Sequence, residues 1–173
     1  MGSVALTEVA GVGRQAFARL LAQRGYTFGV EVGVERGVHA KGLCQRIPGL
    51  TLYCIDPWRC VPGYREHVPQ ERLDSFYEET RKRLAPYTPY IWREASLDAV
   101  GFFKEYEVDF VYLDGDRRPE MVRADVAAWL PKVRPGGALC GHDYDEVAES
   151  IELSPLTVYG DVGHARTWLY EVP

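Results

Sequence analysis

The chain has 173 residues, of which 46% are hydrophobic and 26% charged, and this fits one folded domain with a real core. The formal net charge is −5, so the chain lacks the excess of basic residues that is typical of nucleic-acid-binding proteins. No apolar run approaches the roughly 20 residues needed to cross a bilayer, and the N-terminus has no signal pattern. None of the four cysteines, Cys44, Cys54, Cys60 and Cys140, forms a C-x-x-C pair, which favours a reducing, cytoplasmic compartment.

Segments with helical and strand-like patterns alternate along the chain. Apolar residues between positions 6 and 24 follow helical spacing, with a break allowed at Gly11 and Gly13, and predict a first helix. Strands are predicted at 27–32, 51–55, 90–94, 109–114 and 138–141. Helices are predicted at 36–47, 70–84, 97–105 and 119–130, and a turn at 134–137.

This alternation predicts an α/β, Rossmann-like sheet of five parallel strands with helices on both faces. Residues 156–172 instead read as two strands with a glycine-containing loop and no helix between them, which predicts a C-terminal antiparallel hairpin. We expect a single domain over 1–173, with an N-terminal helix over 1–25, a core over 26–145 and the hairpin over 146–173. Ligands of such sheets bind beyond the carboxyl ends of the strands.

The first predicted strand runs into the turn "EVGVERG", which begins at Glu31. Gly33 and Gly37 permit a tight turn, but Glu35 replaces the middle glycine of G-x-G-x-x-G. An acidic residue before the turn disfavours a nearby pyrophosphate and favours a ligand with an amine or a hydroxyl. An ordinary strand-to-helix turn explains this motif equally well by itself.

The second strand ends in "CIDPW", where Asp56 follows Glu31 by 25 residues. That is near the spacing at which a carboxylate binds the ribose hydroxyls of a nucleotide. Trp58 could offer a flat ring to a base, although a core tryptophan is the commoner interpretation. Ser96, after the third strand, could cap the following helix or lie beside an adenine ring.

The fourth and fifth strands end in "LDGDRR" and "GHDY". Asp114 and Asp143 would then lie on adjacent strand ends, beside His142, and form an oxygen-rich cation site. Asp116 is predicted to be a helix N-cap or a support for its neighbours. The alternative is that the charged residues 114–118 are only the solvated start of a helix.

Together these residues resemble a class I S-adenosylmethionine-dependent methyltransferase. "EVGVERGVHA" is similar to the first motif of catechol-type O-methyltransferases, which lack the middle glycine. Residues 108–144 are similar to a small bacterial branch in which one strand ends in D-G-D-H and the next in H-D, usually with "DPW" after the second strand. The resemblance spans about residues 26–145.

The resemblance implies S-adenosylmethionine as cofactor and Mg²⁺ as an optional second one. The cofactor-binding positions it implies are Glu31, Gly33, Val34, Gly37, His39, Asp56, Pro57, Trp58, Ala95, Ser96 and Asp114. The resemblance also implies that Asp114 and Asp143 are metal ligands. Tyr144 stands at the position where catechol-type relatives carry an amide ligand. The implied catalytic residues are Asp114, Arg117, His142 and Asp143, with His142 as the candidate base.

Arg117 departs from the family pattern, because relatives carry His or Lys there. Arginine stays protonated in proteins, so it cannot act as the base, but it can bind an anionic acceptor. The segment after the fifth strand is also short, with about 10 residues before the hairpin. Relatives usually have a longer helix there.

The predicted function is methyl transfer to a small molecule, most readily at a hydroxyl oxygen, with or without a divalent cation. The alternatives are an NAD(P)-dependent oxidoreductase and a domain that binds S-adenosylmethionine without catalysis. The expected partner is a small-molecule acceptor, with a homodimer as the assembly to test. Neither a nucleic acid nor a membrane is expected as a partner.

Overall fold

The computed structural model describes residues 5–61, 63–162 and 164–173. The strands are β1 Leu6–Val9, β2 Phe28–Val32, β3 Thr51–Ile55, β4 Tyr90–Trp92, β5 Val108–Leu113, β6 Val133–Gly141, β7 Leu156–Tyr159 and β8 Thr167–Glu171. The α-helices are α1 Arg14–Gln23, α2 Val38–Arg46, α3 Gln70–Leu84, α4 Ser96–Ala99, α5 Pro119–Trp129 and α6 Tyr144–Val147. None of these helices combines the length and apolar character needed to cross a membrane.

The described strands form one eight-stranded sheet in the order β1-β7-β8-β6-β5-β2-β3-β4. β8 is antiparallel to both of its neighbours, β7 and β6, and the other pairs of adjacent strands are parallel. The five predicted parallel strands correspond to β2 through β6, and the predicted hairpin is β7 with β8. The predicted fold class is therefore confirmed.

The N-terminal segment differs from the prediction. Residues 6–9 form β1, which pairs in parallel with β7, and the helix begins only at Arg14. The apolar residues Leu6 and Val9 fit helical spacing, but the five residues from Leu6 up to the glycine at position 11 are too few to hold a helix. The backbone instead completes its hydrogen bonds on the free edge of β7.

Two further segments were predicted with different bounds. The helix expected over 97–105 is the short α4 followed by one turn of 3₁₀ helix, Val100–Phe102. Residues 134–137, predicted as a turn, lie within β6, where the register against β5 shifts. The shift accommodates the glycines, so the strand continues through them as a bulge.

Side chains of the central strands alternate between two apolar layers. Phe110 and Tyr112 of β5 face the layer of α1 and α2, and Val111 faces the layer of α5. α1 packs on α2 and α2 on α3, whereas α4 packs on α5. Both faces of the sheet are therefore covered, which leaves the carboxyl ends of the parallel strands as the open edge.

Arg166, just before β8, connects the C-terminal hairpin to β1 and α6. Its side chain is 8% exposed and donates to Glu8 of β1 at 2.7 Å and to Asp145 of α6 at 3.0 Å. Its guanidinium also lies 5.3 Å from the centre of the Tyr144 ring. These contacts fix the short segment after β6 against the edge of the sheet.

Candidate active site

The carboxyl ends of β2, β5 and β6 open onto a cleft of about 840 Å³. Asp114 directly follows β5, and His142 and Asp143 directly follow β6, so the three side chains meet at one edge. Because β5 lies between β2 and β6, Glu31 of β2 faces the same cleft. The predicted site residues that line it are Glu31, Gly33, Val34, His39, Asp114, Arg117, His142 and Asp143.

The turn after β2 requires glycine at its first position. Gly33 has φ +86°, and a Cβ added there would lie 2.2 Å from the backbone oxygen of Asp114. The end of β2 therefore approaches the end of β5 more closely than a side chain allows. Glu35, at the position of the missing glycine, itself adopts a left-handed φ of 50°. Gly37 is the N-cap of α2 and lies outside the lining of the cleft.

Glu31 and His39 form a buried polar pair at the base of the cleft. Their exposed fractions are 1% and 7%, and His39 Nδ1 lies 3.5 Å from Glu31 Oε1. Within the described part of the chain, no hydrogen bond reaches Glu31 Oε2 or either ring nitrogen of His39. Since buried polar groups are normally satisfied, these atoms point to a ligand that supplies complementary donors and acceptors.

Asp56 is buried and already has several hydrogen-bond donors around it. Its carboxylate accepts from the backbone N–H of Glu35 at 2.9 Å and of Trp58 at 2.8 Å. The guanidinium of Arg65, from the loop after β3, covers it at 3.2 Å. Asp56 therefore holds the turn after β2, and ribose hydroxyls would have to replace Arg65 to reach it.

Trp58 is a core residue rather than an open stacking surface. Its side chain is fully buried, packs against Tyr77 with ring centres 5.0 Å apart, and donates from Nε1 to the backbone oxygen of Glu35 at 2.6 Å. A ring enclosed in this way cannot offer a face to a base. Pro57 is half-buried and, like Trp58, is not among the residues that line the cleft.

Ser96 does not cap α4, because Ala95 is the N-cap and makes no side-chain bond there. The Ser96 hydroxyl donates to Asp125 at 2.6 Å and accepts from the indole N–H of Trp129 at 2.8 Å. It thus joins α4 to α5. Ala95 and Ser96 lie outside the lining of the cleft.

Asp114 is held beside Arg14, the first residue of α1. Arg14 Nη2 lies 3.0 Å from Asp114 Oδ2 and 2.7 Å from His142 Nδ1. Burial raises the pKa of Asp114 to about 7, with further contributions from Glu31 and opposition from Arg14. Burial and the Arg14 charge lower the pKa of His142 and outweigh the opposing effect of Asp143, so the imidazole is neutral at neutral pH.

Arg117 pairs with two carboxylates, Asp143 at 2.8 Å and Glu146 at 3.3 Å. Asp143 itself has a left-handed φ of 51° at the N-cap of α6, a conformation that often marks functional sites. Asp116 is not the N-cap of α5, which is Arg118. The Asp116 carboxylate accepts the backbone N–H of Arg118 at 3.0 Å and so supports the turn before the helix.

The donor atoms of Asp114, His142 and Asp143 lie within 4.8 Å of one another, a spacing that suits a metal ion. Each of the three, however, already contacts a guanidinium of Arg14 or Arg117. A cation would enter a site whose two carboxylates are neutralised by two permanent positive charges. The residues present therefore do not fit a resident divalent cation.

Sequence reasoning missed two arginines of this site. Arg14 lies 128 residues before His142, and its position at the start of a helix gave no sign of a partner. Arg65 lies between β3 and α3, in a segment with the composition of a loop, and the sequence did not indicate which carboxylate it would meet.

A mostly parallel sheet with carboxylates at adjacent strand ends around one cleft is the arrangement in which α/β proteins bind nucleotides and other small ligands. A family model described as "Methyltransferase domain" matches residues 30–144, and the chain belongs to this family. The predicted class I S-adenosylmethionine-dependent methyltransferase is thereby confirmed. No curated protein sequence matches the chain.

Several solved structures share the fold. The O-methyltransferase from Bacillus cereus, in complex with SAH, has a TM-score of 0.68 and 14% identity and covers 93% of this chain and 81% of its own. The O-methyltransferase TomG from Streptomyces achromogenes is involved in tomaymycin synthesis and was solved in complex with SAM. Its TM-score is 0.63 and its identity 16%, and the match covers 92% of this chain and 79% of TomG. An rRNA methylase from Streptococcus thermophilus has a TM-score of 0.66 and 14% identity, and the match covers 95% of this chain and 100% of the methylase.

Proposed function

We propose that this methyltransferase transfers a methyl group from S-adenosylmethionine to a hydroxyl oxygen of a small molecule bound in the cleft. The observation that carries the proposal is the buried Glu31–His39 pair, whose unpaired polar atoms border the cleft beside Asp114. A ligand with an amine and a carboxylate, as in the methionine part of the cofactor, would satisfy both side chains.

The proposed cofactor contacts are divided between three strand ends. Glu31 would accept hydrogen bonds from the cofactor amine, and His39 would donate to its carboxylate. Gly33 leaves room for a close backbone approach. Asp56 would bind the ribose hydroxyls once Arg65 has moved aside. Asp114 borders the place where the methyl group would be transferred.

The bound cofactor supplies an electrophilic methyl group on a sulfonium centre. In the transfer the S–CH₃ bond breaks, an O–CH₃ bond forms and the hydroxyl proton leaves with a base. Asp114 and His142 are two side chains of the cleft that can accept this proton, whereas Arg117 keeps its charge. The main contribution of the cleft would be to hold the acceptor oxygen close and in line.

A small acceptor agrees with the size of the cleft and with the charge of the chain. The cleft is a concavity of about 840 Å³, and the chain carries a net charge of −5. The net negative charge disfavours a polyanionic acceptor such as RNA. The O-methyltransferases among the structural neighbours support oxygen as the methylated atom. The four cysteines are free thiols, which supports a cytoplasmic location.

The contacts of Asp114 and Asp143 favour a reaction without Mg²⁺ over the cation-assisted form that the resemblance implies. Both carboxylates are already paired with arginines. We therefore assign no step of the reaction to a cation.

Calorimetric titration with S-adenosylhomocysteine tests the cofactor assignment. We expect micromolar-range binding by the wild-type chain and no comparable binding of NAD. Glu31→Gln removes the charge that would pair with the amine, so affinity should fall by about 1–3 kcal/mol. Glu78→Gln, on the exposed face of α3, is the matched control and should bind like the wild type.

Two results would refute the cofactor assignment. One is a wild-type chain that does not bind S-adenosylhomocysteine, and the other is an unchanged affinity in Glu31→Gln. Tight cofactor binding without turnover across a broad panel of hydroxylated acceptors would instead support a binding domain without catalysis.

A further inference from the structure

Two guanidinium groups lie against the three side chains that could ligate a cation. Arg14, at the start of α1, contacts both Asp114 and His142, at 3.0 and 2.7 Å. Arg117, four residues after β5, contacts Asp143 at 2.8 Å. The two arginines lie far apart in the sequence, yet between them they reach every candidate ligand of the cluster.

We propose that Arg14 and Arg117 take the place of a divalent cation at this cluster and bind the acceptor oxygen with guanidinium N–H groups. The inference rests on the proposed methyl transfer for its function, but the exclusion of a cation is a property of the side chains themselves.

Charge is the first argument. Asp114 and Asp143 carry two negative charges when ionised, and Arg14 and Arg117 carry two positive charges that arginine does not give up in proteins. A divalent cation among the carboxylates would lie within a few ångströms of both guanidinium groups and be repelled by them. A histidine at position 117, as in the branch that this sequence resembles, could be neutral and would not repel a cation.

The second argument is how these side chains are anchored. Glu146 lies 3.3 Å from Arg117, so a second carboxylate holds this guanidinium at the cluster. Tyr144 occupies the position of the amide ligand, but its ring packs beside Arg166, 5.3 Å from the guanidinium carbon. Two carboxylates, Asp143 and Glu146, therefore hold the Arg117 guanidinium at the cluster.

The third argument is access. Arg14 and Arg117 both line the cleft, and their side chains are 40% and 54% exposed. Each guanidinium has five N–H donors, and the carboxylates occupy only some of them. Donors fixed at the edge of a cleft stabilise negative charge that develops on an acceptor oxygen. The acceptors that this arrangement favours are anionic or carry an acidic hydroxyl.

Titration with Mn²⁺, followed by the electron paramagnetic resonance signal of the free ion, tests the exclusion directly. We expect the wild-type chain to leave Mn²⁺ free up to about 1 mM, the weak limit of protein sites for hard cations. Arg14→Gln/Arg117→Gln should bind Mn²⁺ at least about tenfold more tightly, because the repelling charges are gone. Adding Asp114→Asn to that variant should abolish the gain.

Two controls separate charge from side-chain loss. Arg14→Lys/Arg117→Lys keeps both charges and should behave like the wild type. Arg123→Gln removes a charge on α5, where Glu152 is 3.9 Å away, and should also leave Mn²⁺ free. If circular dichroism shows that the double glutamine variant does not fold, Arg117→Gln alone carries the same expectation with a smaller gain.

The proposal is overturned if the wild-type chain binds Mn²⁺ and Asp143→Asn abolishes that binding. It is also overturned if the folded glutamine variants bind Mn²⁺ no better than the wild type. Because the titration uses neither cofactor nor acceptor, either result leaves the S-adenosylhomocysteine test untouched. A chain that fails to bind S-adenosylhomocysteine would equally leave this test standing.

Discussion

Replacing the buried Asp125 by asparagine should stabilise the protein at neutral pH. Asp125 is on α5, is 5% exposed, and accepts a hydrogen bond from the Ser96 hydroxyl at 2.6 Å. Burial raises its pKa from the ordinary 3.8 to about 6, although the Ser96 bond opposes the rise. The folded protein therefore disfavours the charge that Asp125 carries at neutral pH.

The size and pH dependence follow from the two pKa values. The rise to about 6 corresponds to about 3 kcal/mol of free energy against the ionised form in the folded state. Below the unfolded pKa, near 4, both states are protonated and the wild type has its full stability. As the pH rises from about 4 to about 6, the wild type loses the part of its stability that depends on a protonated Asp125, about 3 kcal/mol. An asparagine side chain at this position has nearly the same shape and no charge, so the variant escapes the loss.

Urea unfolding followed by circular dichroism measures this difference. Asp125→Asn should exceed the wild type by about 3 kcal/mol at pH 7.5 and by about 1 kcal/mol near pH 4.5. Asp98→Asn makes the same chemical change at a side chain that is 68% exposed, so it should shift the free energy by less than about 0.5 kcal/mol. A gain that is equal at both pH values, or a variant less stable than the wild type at pH 7.5, would refute this reasoning.

Two further substitutions test the close approach of β2 to β5 and the contacts of Arg166. Gly33→Ala should destabilise the protein by more than about 2 kcal/mol, because the added Cβ would lie 2.2 Å from the backbone oxygen of Asp114. Gly115→Ala is the control and should cost far less, because a Cβ there makes only ordinary contacts. Equal unfolding free energies for the two variants would contradict the close approach. Arg166→Met should cost about 1–3 kcal/mol by breaking its two carboxylate contacts, while the exposed Arg123→Met should change little, both measured by urea unfolding.

Local pattern was sufficient for the central elements of the fold. The predicted bounds of the strand over 51–55 and of the helix over 70–84 agree with the structure to the residue. Both have apolar residues at a clear period and lie between turn-forming residues, so each local preference agrees with the final packing. That Glu31, Asp114 and Asp143 would line one cleft was also foreseeable, because the strand ends of a parallel sheet share one edge.

Other features depended on partners that are distant in the sequence. β1 is a strand only because the edge of β7, about 150 residues later, offers hydrogen bonds to its backbone. Trp58 could have faced a ligand or the core, and the packing of Tyr77 decided for the core. Such short or ambiguous segments take the conformation that their neighbours satisfy.

The pairing of charges in the cleft also depends on residues that are distant in the sequence. From the sequence alone, Asp114, His142 and Asp143 predict a cation site, because carboxylates at neighbouring strand ends are the ligands such an ion uses. Arg14 reaches this edge through the packing of α1 on α2 beside the sheet, not through any pattern near residue 14. A sequence determines which charges exist and which strand ends carry them. Only the tertiary structure decides which opposite charges meet, because pairing depends on distances that the fold sets between remote residues.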